Sequence, residues 1–192
     1  MKISNAIKIV ALVIIVAILS TVGITVSQAK ERKHYTEVSY TLVEEYEVPA
    51  LTKYVQKRSK VKLSEYQAKT IVTSAIRHGN KFKIDPTLVL AVAEVESEFN
   101  PKARSSSSSA YGLMQVIPYW HKEKIRNRDM RQAKEQIAVG AEVLAEYIES
   151  GGSVKAALKL YSGGSNKYAT KVIKTRNKIR RHVVQEVLNV AV

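Results

Sequence analysis

The chain has 192 residues, enough for one domain of ordinary size and an additional segment. Its 31 Lys and Arg residues against 17 Asp and Glu residues give a formal charge of +14, which favours either a polyanionic partner or simply a soluble, self-repelling surface. A hydrophobic fraction of 45% excludes a wholly disordered chain. The absence of Cys excludes disulfides, thiolate metal sites and a cysteine nucleophile.

The N-terminal segment contains an uncharged apolar run of 18 residues, from Ile9 to Val26. As a helix this run would be about 27 Å long, close to the thickness of a bilayer core. Two lysines precede the run and predict a cytoplasmic N-terminus with the rest exported, although basic residues also follow it. A retained single-pass anchor over residues 1–29 is the favoured interpretation. A signal peptide cleaved after Ala29 and a buried soluble helix are the alternatives.

Residues 30–62 are predicted to be a linker or stalk, and residues 63–192 the compact domain. Ser64 is a suitable cap for a helix that ends near Gly79. Asp85 followed by Pro86 predicts a second helix start. This helix should run to about Phe99, because the next residue precedes a proline and is disfavoured in a helix.

The remaining elements follow from spacing and turn signals. Residues 101–111, with five consecutive serines, are predicted to be a loop. Apolar residues at helical spacing predict a third helix over 132–149, Ser153 caps a short fourth helix, and a basic last helix runs from about Ser165 towards Asn189. No sustained strand alternation follows residue 63. The domain is therefore predicted to be all-α.

The helix from Pro86 carries three glutamates that a helical wheel separates. Glu96 lies about 70° from the centre of the apolar face, Glu98 about 90° away on the other side, and Glu94 about 130° away. Glu94 and Glu98 are therefore interpreted as solvated surface acids. A carboxyl group at the position of Glu96 loses hydration, which raises its pKa and suits general-acid catalysis. The alternative is a glutamate at the core margin paired with a base.

Three segments around Glu96 resemble a known family. The first is Glu96-Ser97-Glu98-Phe99-Asn100-Pro101, the second is the serine-rich loop, and the third is Gly112-Leu113-Met114-Gln115-Val116-Ile117-Pro118. This order resembles the SLT-type lytic transglycosylases of the goose-lysozyme-like superfamily, which carry E-S-x-F-x-P, a Ser-containing loop, and G-L-M-Q before an apolar pair and Pro. The later Tyr161-Ser162-Gly163-Gly164 turn is similar to the family's Y-N-A-G segment. The resemblance covers about residues 63–175 and implies a lysozyme-like helical fold.

The resemblance implies an enzyme that cleaves the bond between N-acetylmuramic acid and N-acetylglucosamine in peptidoglycan. Glu96 would be the single acid and base: it protonates the glycosidic oxygen and then takes the proton of the sugar's C6 hydroxyl, which closes a 1,6-anhydro ring. The family has no carboxylate nucleophile, and the substrate's N-acetyl oxygen stabilises the cationic centre, as in other substrate-assisted enzymes.

The resemblance also implies substrate-binding roles for five further residues, each beside a plainer alternative. Gln115 would bind sugar hydroxyls or the N-acetyl group, or only cap a turn. Met114 would line the cleft or pack in the core, and Tyr161 would orient the acid or pack in the core. Because the spacing from Glu96 to Gln115 is one residue longer than usual, the loop serine is Ser105 or Ser106, or else the loop is merely polar. The aromatic residues Tyr111, Tyr119 and Trp120 are candidates for stacking on sugars or for core packing.

No cofactor and no metal site are predicted, because the four histidines show no ligand spacing. The predicted partners are peptidoglycan glycan strands and, through residues 1–29, the inner membrane, with the domain in the periplasm. Bacterial secretion machinery and a phage particle are two alternative settings, the latter with an exported or virion-associated protein. The rival functions are a muramidase of the same fold, a non-catalytic wall-binding protein, and a nucleic-acid-binding protein, for which no motif is present.

Overall fold

A computed structural model describes residues 43–191, and the apolar run predicted to be a membrane anchor lies outside this range. Every regular element in the described range is helical. After a π-helical turn at Val43–Glu47 come α1 (Val48–Arg58), α2 (Glu65–Phe82), α3 (Pro86–Ser97), α4 (Lys122–Ile125), α5 (Ala133–Gly151), α6 (Val154–Tyr161) and α7 (Asn166–Ala191). The predicted all-α class is confirmed for these residues. Within residues 43–191, no helix combines the length and apolar character needed to cross a membrane.

The described chain divides into two compact units. One unit is formed by residues 51–181. Its interior is made by helix α5, which packs on α2, α3 and α6, and by α2 against α3. Large, fully buried side chains fill this interior: Phe99, Ile71, Leu88, Leu90, Leu113, Met114, Ile137, Leu144 and Leu158. The other unit comprises residues 43–50 and 182–191, in which the His182 Nε2 and the Ala50 carbonyl oxygen lie 3.2 Å apart.

Side-chain caps start three of these helices at the residues that the sequence indicates. The Ser64 hydroxyl accepts from the Gln67 amide, and the Gln67 side chain accepts from the Ser64 amide, which forms a capping box. Asp85 accepts from the Thr87 amide at the start of α3, and Ser153 caps α6. Each cap satisfies amide groups that a first helical turn leaves without partners.

Helix α3 ends two residues earlier than predicted. Glu98 and Phe99 follow it with φ angles of +50° and +57°, in the left-handed region that residues other than glycine rarely adopt. The Glu98 and Phe99 amides bond back to the carbonyls of Glu94 and Ala93. This reversal of the chain buries the Phe99 ring completely in the core.

The linker interpretation of residues 30–62 is wrong for α1. Leu51 and Val55 of this helix are buried, and Tyr54 and Arg58 make hydrogen bonds to α3. The polar composition of the segment obscured these few inward-facing residues. The short helix α4, within the stretch between the predicted second and third helices, was also not expected.

Candidate active site

The carboxyl group of Glu96 is half-buried next to the last helix. Tyr168, in the first turn of α7, donates a hydrogen bond from its hydroxyl to Glu96 Oε1 over 2.6 Å. Burial raises the pKa of Glu96 above its ordinary value, and the Tyr168 hydrogen bond and the positive charge of Lys171 offset only part of this increase. A carboxyl group with a raised pKa keeps its proton at higher pH, which is the property that a general acid requires.

Two tyrosine rings stack beside this acid. The rings of Tyr161 and Tyr168 are nearly parallel, at an angle of 4° and with centroids 6.4 Å apart. Burial, followed by the negative charge of Glu96, raises the pKa of both hydroxyls, so both remain hydrogen-bond donors. The Tyr161 hydroxyl donates to the Met114 carbonyl oxygen over 2.8 Å. The contact with the acid that was predicted for Tyr161 is therefore made by Tyr168.

The segment 112–115 is held in place by side chains from neighbouring helices. The Gln136 side chain on α5 accepts from the Leu113 amide over 2.8 Å and donates to the carbonyl oxygens of Pro101 and Met130. The Ser97 hydroxyl donates to the Leu113 carbonyl oxygen over 2.8 Å. A Cβ atom on Gly112 would lie 2.5 Å from the Gln136 side chain, so only glycine fits there. These contacts tie the backbone of this segment to α3 and α5.

The resemblance implies that Gln115 and Met114 contact the substrate, but in the structure both residues make contacts within the protein. The Gln115 side chain donates to the carbonyl oxygens of Ala103 and Gly112, which corresponds to the turn-capping alternative. Its Oε1 atom accepts no hydrogen bond from the described residues. Met114 is fully buried and packs against Gly140, which favours core packing over contact with a substrate.

The serine loop is mostly exposed, and the three aromatic residues differ in their exposure. The Ser105 hydroxyl accepts from the amides of Ser107 and Ser108, and Ser106 is exposed. Neither serine makes a hydrogen bond to Glu96. Tyr119 and Trp120 are 64% and 70% exposed, so the core alternative is wrong for both. The half-buried Tyr111 ring lies 4.7 Å from the guanidinium carbon of Arg104.

Glu94 is not the surface acid that the helical wheel indicates. It is only 7% exposed, and it accepts hydrogen bonds from the Tyr54 hydroxyl over 2.8 Å and from Arg58 Nε over 2.9 Å. Helix α1 covers this side of α3, and the wheel could not include a helix that was interpreted as a linker. Glu98 is exposed, as predicted. Each of the three glutamates therefore has a different environment.

The sequence does not single out several residues that the structure places around the three glutamates and segment 112–115. They are Tyr168, Gln136 and the Tyr54–Arg58 pair. A signal for Tyr168 was present, because it stands four residues before Val172 and eleven before Ile179, on the buried stripe of the last helix. The polar Gln136 is buried directly before Ile137, which gives no sequence signal of its own. Among the described residues, no group of three or more His, Asp or Glu side chains could hold a metal ion.

Comparison with known proteins identifies the family. The family model described as "Transglycosylase SLT domain" matches residues 73–184. The chain belongs to the transglycosylase SLT domain family. The resemblance to SLT-type lytic transglycosylases is thereby confirmed, and the matched range includes Glu96 and Tyr168.

Two relatives carry related names. The "Transglycosylase" of Enterobacteria phage PRD1 is 35% identical over 86 residues, which are 45% of this chain and 32% of the phage protein. The "Membrane-bound lytic murein transglycosylase C" of Actinobacillus pleuropneumoniae serotype 5b (strain L20) is 41% identical over 54 residues, which are 28% of this chain and 14% of that protein. The part of this chain that matches therefore spans less than a third of the length of each relative.

Proposed function

We propose that this chain is a peptidoglycan lytic transglycosylase with a lysozyme-like fold. It cleaves the β-1,4 bond from N-acetylmuramic acid to N-acetylglucosamine and leaves a 1,6-anhydro ring. The observation that carries the proposal is the half-buried Glu96, whose pKa is raised by burial and whose carboxyl group accepts a hydrogen bond from the Tyr168 hydroxyl. Membership of the SLT family supports the same activity.

The reaction needs one carboxyl group used twice. Glu96 first donates its proton to the glycosidic oxygen while the bond from C1 to that oxygen breaks. The substrate's N-acetyl oxygen stabilises the positive charge at C1. The Glu96 carboxylate then accepts the proton of the C6 hydroxyl, and the C6 oxygen bonds to C1. No water is consumed, and the carboxyl group is protonated again for the next cycle.

Other residues near Glu96 serve this reaction as positioning and binding groups. Tyr168 orients the carboxyl group, and Tyr161, Ser97 and Gln136 hold the backbone of segment 113–114. The Gln115 Oε1 atom is the part of that side chain left to accept from an N-acetyl N–H or a sugar hydroxyl. Ser105 or Ser106 contacts the sugar from the loop.

The mass of the products tests this function. The purified protein is incubated with peptidoglycan, and the released muropeptides are weighed. We expect anhydro products, each one water lighter than a muramidase product, and we expect Glu96→Gln to abolish their release. Hydrated products would assign the chain to the muramidase alternative. No products from a folded, peptidoglycan-binding protein would favour a non-catalytic wall protein.

We also propose a location for the enzyme. Residues 1–29 anchor the chain in the inner membrane, and the chain from residue 30 onward lies on its outer side. The SLT domain then acts in the periplasm or its equivalent. The named membrane-bound relative supports this placement, and the phage relative supports a virion-associated alternative. A reporter fused after Val192 should be active only outside the cytoplasm. Activity of the reporter in the cytoplasm would contradict the orientation.

A further inference from the structure

A row of aromatic rings leads away from Glu96. Tyr168, whose hydroxyl is hydrogen-bonded to the acid, stacks its ring on that of Tyr161. The Tyr161 ring meets Tyr147 edge to face with centroids 6.0 Å apart. Tyr147 in turn meets the ring of His121, with centroids 6.5 Å apart. All of these tyrosine rings are half-buried. The row therefore connects the acid with the segment that precedes α4, through three ring-to-ring steps.

Two exposed rings lie immediately before His121 in the chain. Tyr119 and Trp120 form an edge-to-face pair with centroids 4.8 Å apart. The Lys122 ammonium group lies 4.9 Å from the Tyr119 ring centroid, so it covers part of that ring. Trp120 is 70% exposed, and its indole N–H donates to no described residue. A large ring kept in water, with a free donor at its edge, is the property of a binding surface.

The backbone that carries the pair is anchored to the rest of the domain. The Trp120 amide bonds to the Ile117 carbonyl oxygen over 3.2 Å. Lys124, four residues further on, forms a 2.6 Å ion pair with Glu146 of α5. Arg128 bridges two other α5 carboxylates, those of Glu135 and Glu142. An ordered aromatic platform loses less conformational freedom on binding than a mobile one.

We propose that Trp120, supported by Tyr119, is a stacking site for the glycan strand at a distance from the cleaved bond. Pyranose rings present apolar C–H faces that pack on an aromatic face, and their hydroxyls can accept from the indole N–H. The aromatic row links Glu96 with His121, the residue next to Trp120 in the chain, and a linear polymer that extends past the acid would reach this platform. This site rests on the proposed function, because it takes the same polymer as its ligand.

A binding experiment tests the site without requiring turnover. The full-length chain carrying Glu96→Gln, which leaves the polymer intact, is pelleted with purified sacculi, alone and with Trp120→Ala. We expect about tenfold weaker binding after loss of the ring, and recovery with Trp120→Phe, which keeps an aromatic face. The matched control is Tyr66→Ala, because Tyr66 is an 80% exposed ring on α2. Equal binding of Trp120→Ala and its parent, or an equal loss in the Tyr66 control, would overturn the proposal.

Two further measurements distinguish a distant glycan site from a contact at the cleaved bond and from a membrane contact. In the active enzyme, Trp120→Ala should lower kcat/KM about tenfold on long strands and leave the shortest cleavable fragments unaffected. An equal loss on the shortest fragments would overturn the distant position. Anionic lipid vesicles provide the second comparison: a loss of vesicle binding with unchanged sacculus binding would assign the ring to a membrane surface instead. If the protein binds sacculi through Trp120 but releases no products, the proposed activity fails and the binding site stands.

Discussion

The three glutamates of α3 allow one chemical change to be tested in three environments. Replacing each with glutamine removes a charge and keeps the size. At Glu94 the change breaks the ion pair with Arg58. The amide has one acceptor oxygen where the carboxylate offers one oxygen to the Tyr54 hydroxyl at 2.8 Å and the other to Arg58 Nε at 2.9 Å, so one of these two hydrogen bonds cannot be made in its present form.

The expected loss at Glu94 follows from this geometry. A hydrogen bond to a charged group contributes about 1.5–3 kcal/mol when it is buried. The Arg58 side chain is 45% exposed, and solvent weakens the electrostatic part of the interaction. We therefore expect Glu94→Gln to lower the free energy of unfolding by about 1–3 kcal/mol. Glu98→Gln, at an exposed position, should change it by less than about 0.5 kcal/mol.

Thermal unfolding and activity together measure these differences. For a domain of this size each kcal/mol lowers Tm by about 2–4 °C. Glu94→Gln should melt below the parent and retain most of its activity when folded, whereas Glu96→Gln should keep its Tm and lose activity by about 10²–10⁴-fold. Equal melting of the Glu94→Gln and Glu98→Gln variants would refute the reasoning. A second check is the pair Arg58→Gln and Glu94→Gln, whose effects should be clearly less than additive.

Three further predictions concern the surroundings of the acid and the basic last helix. Tyr168→Phe removes a hydrogen bond that lowers the pKa of Glu96, so the alkaline limb of the pH–activity profile should move to higher pH; an unchanged or lower limb would contradict this. Gly140→Ala places a Cβ atom within 2.6 Å of the Met114 Cβ and should lower the free energy of unfolding by about 1–3 kcal/mol. Urea titration measures this loss, and an unchanged unfolding midpoint would contradict it. Replacement of Lys174, Lys178 and Arg181 by Gln should weaken sacculus binding mainly at low salt, and equal binding at low salt would mean that these bases are only solvated.

Local signals in the sequence were sufficient for most of the helices. Ser64, Asp85 and Ser153 each stand before a helix and have a side chain that satisfies its first amides, so the chemistry that starts the helix is contained in a few adjacent residues. The end of α3 was less accessible. Glu98 and Phe99 adopt the left-handed conformation although neither is a glycine or an asparagine, and the Phe99 ring that follows this reversal is fully buried.

The environment of the acid depended on helices far away in the chain. The wheel placed Glu96 correctly at the edge of the apolar face, but Glu94 is covered by α1, which no pattern within α3 could indicate. Tyr168 is 72 residues from Glu96 in the sequence. Tertiary packing brings the Tyr168 hydroxyl from another helix to the acid. The residue pattern on α3 alone therefore cannot predict this contact.

The way in which segment 113–114 is held has a consequence for folding order and hydrogen exchange. Its backbone groups are bonded to Gln136 on α5, Ser97 on α3 and Tyr161 on α6, and hardly to each other. Three helices must therefore assemble before this segment gains its partners, and we expect it to form late in folding. Once formed, the Leu113 amide is buried against the Gln136 side chain. We expect this amide to exchange with solvent only when the helices around it separate.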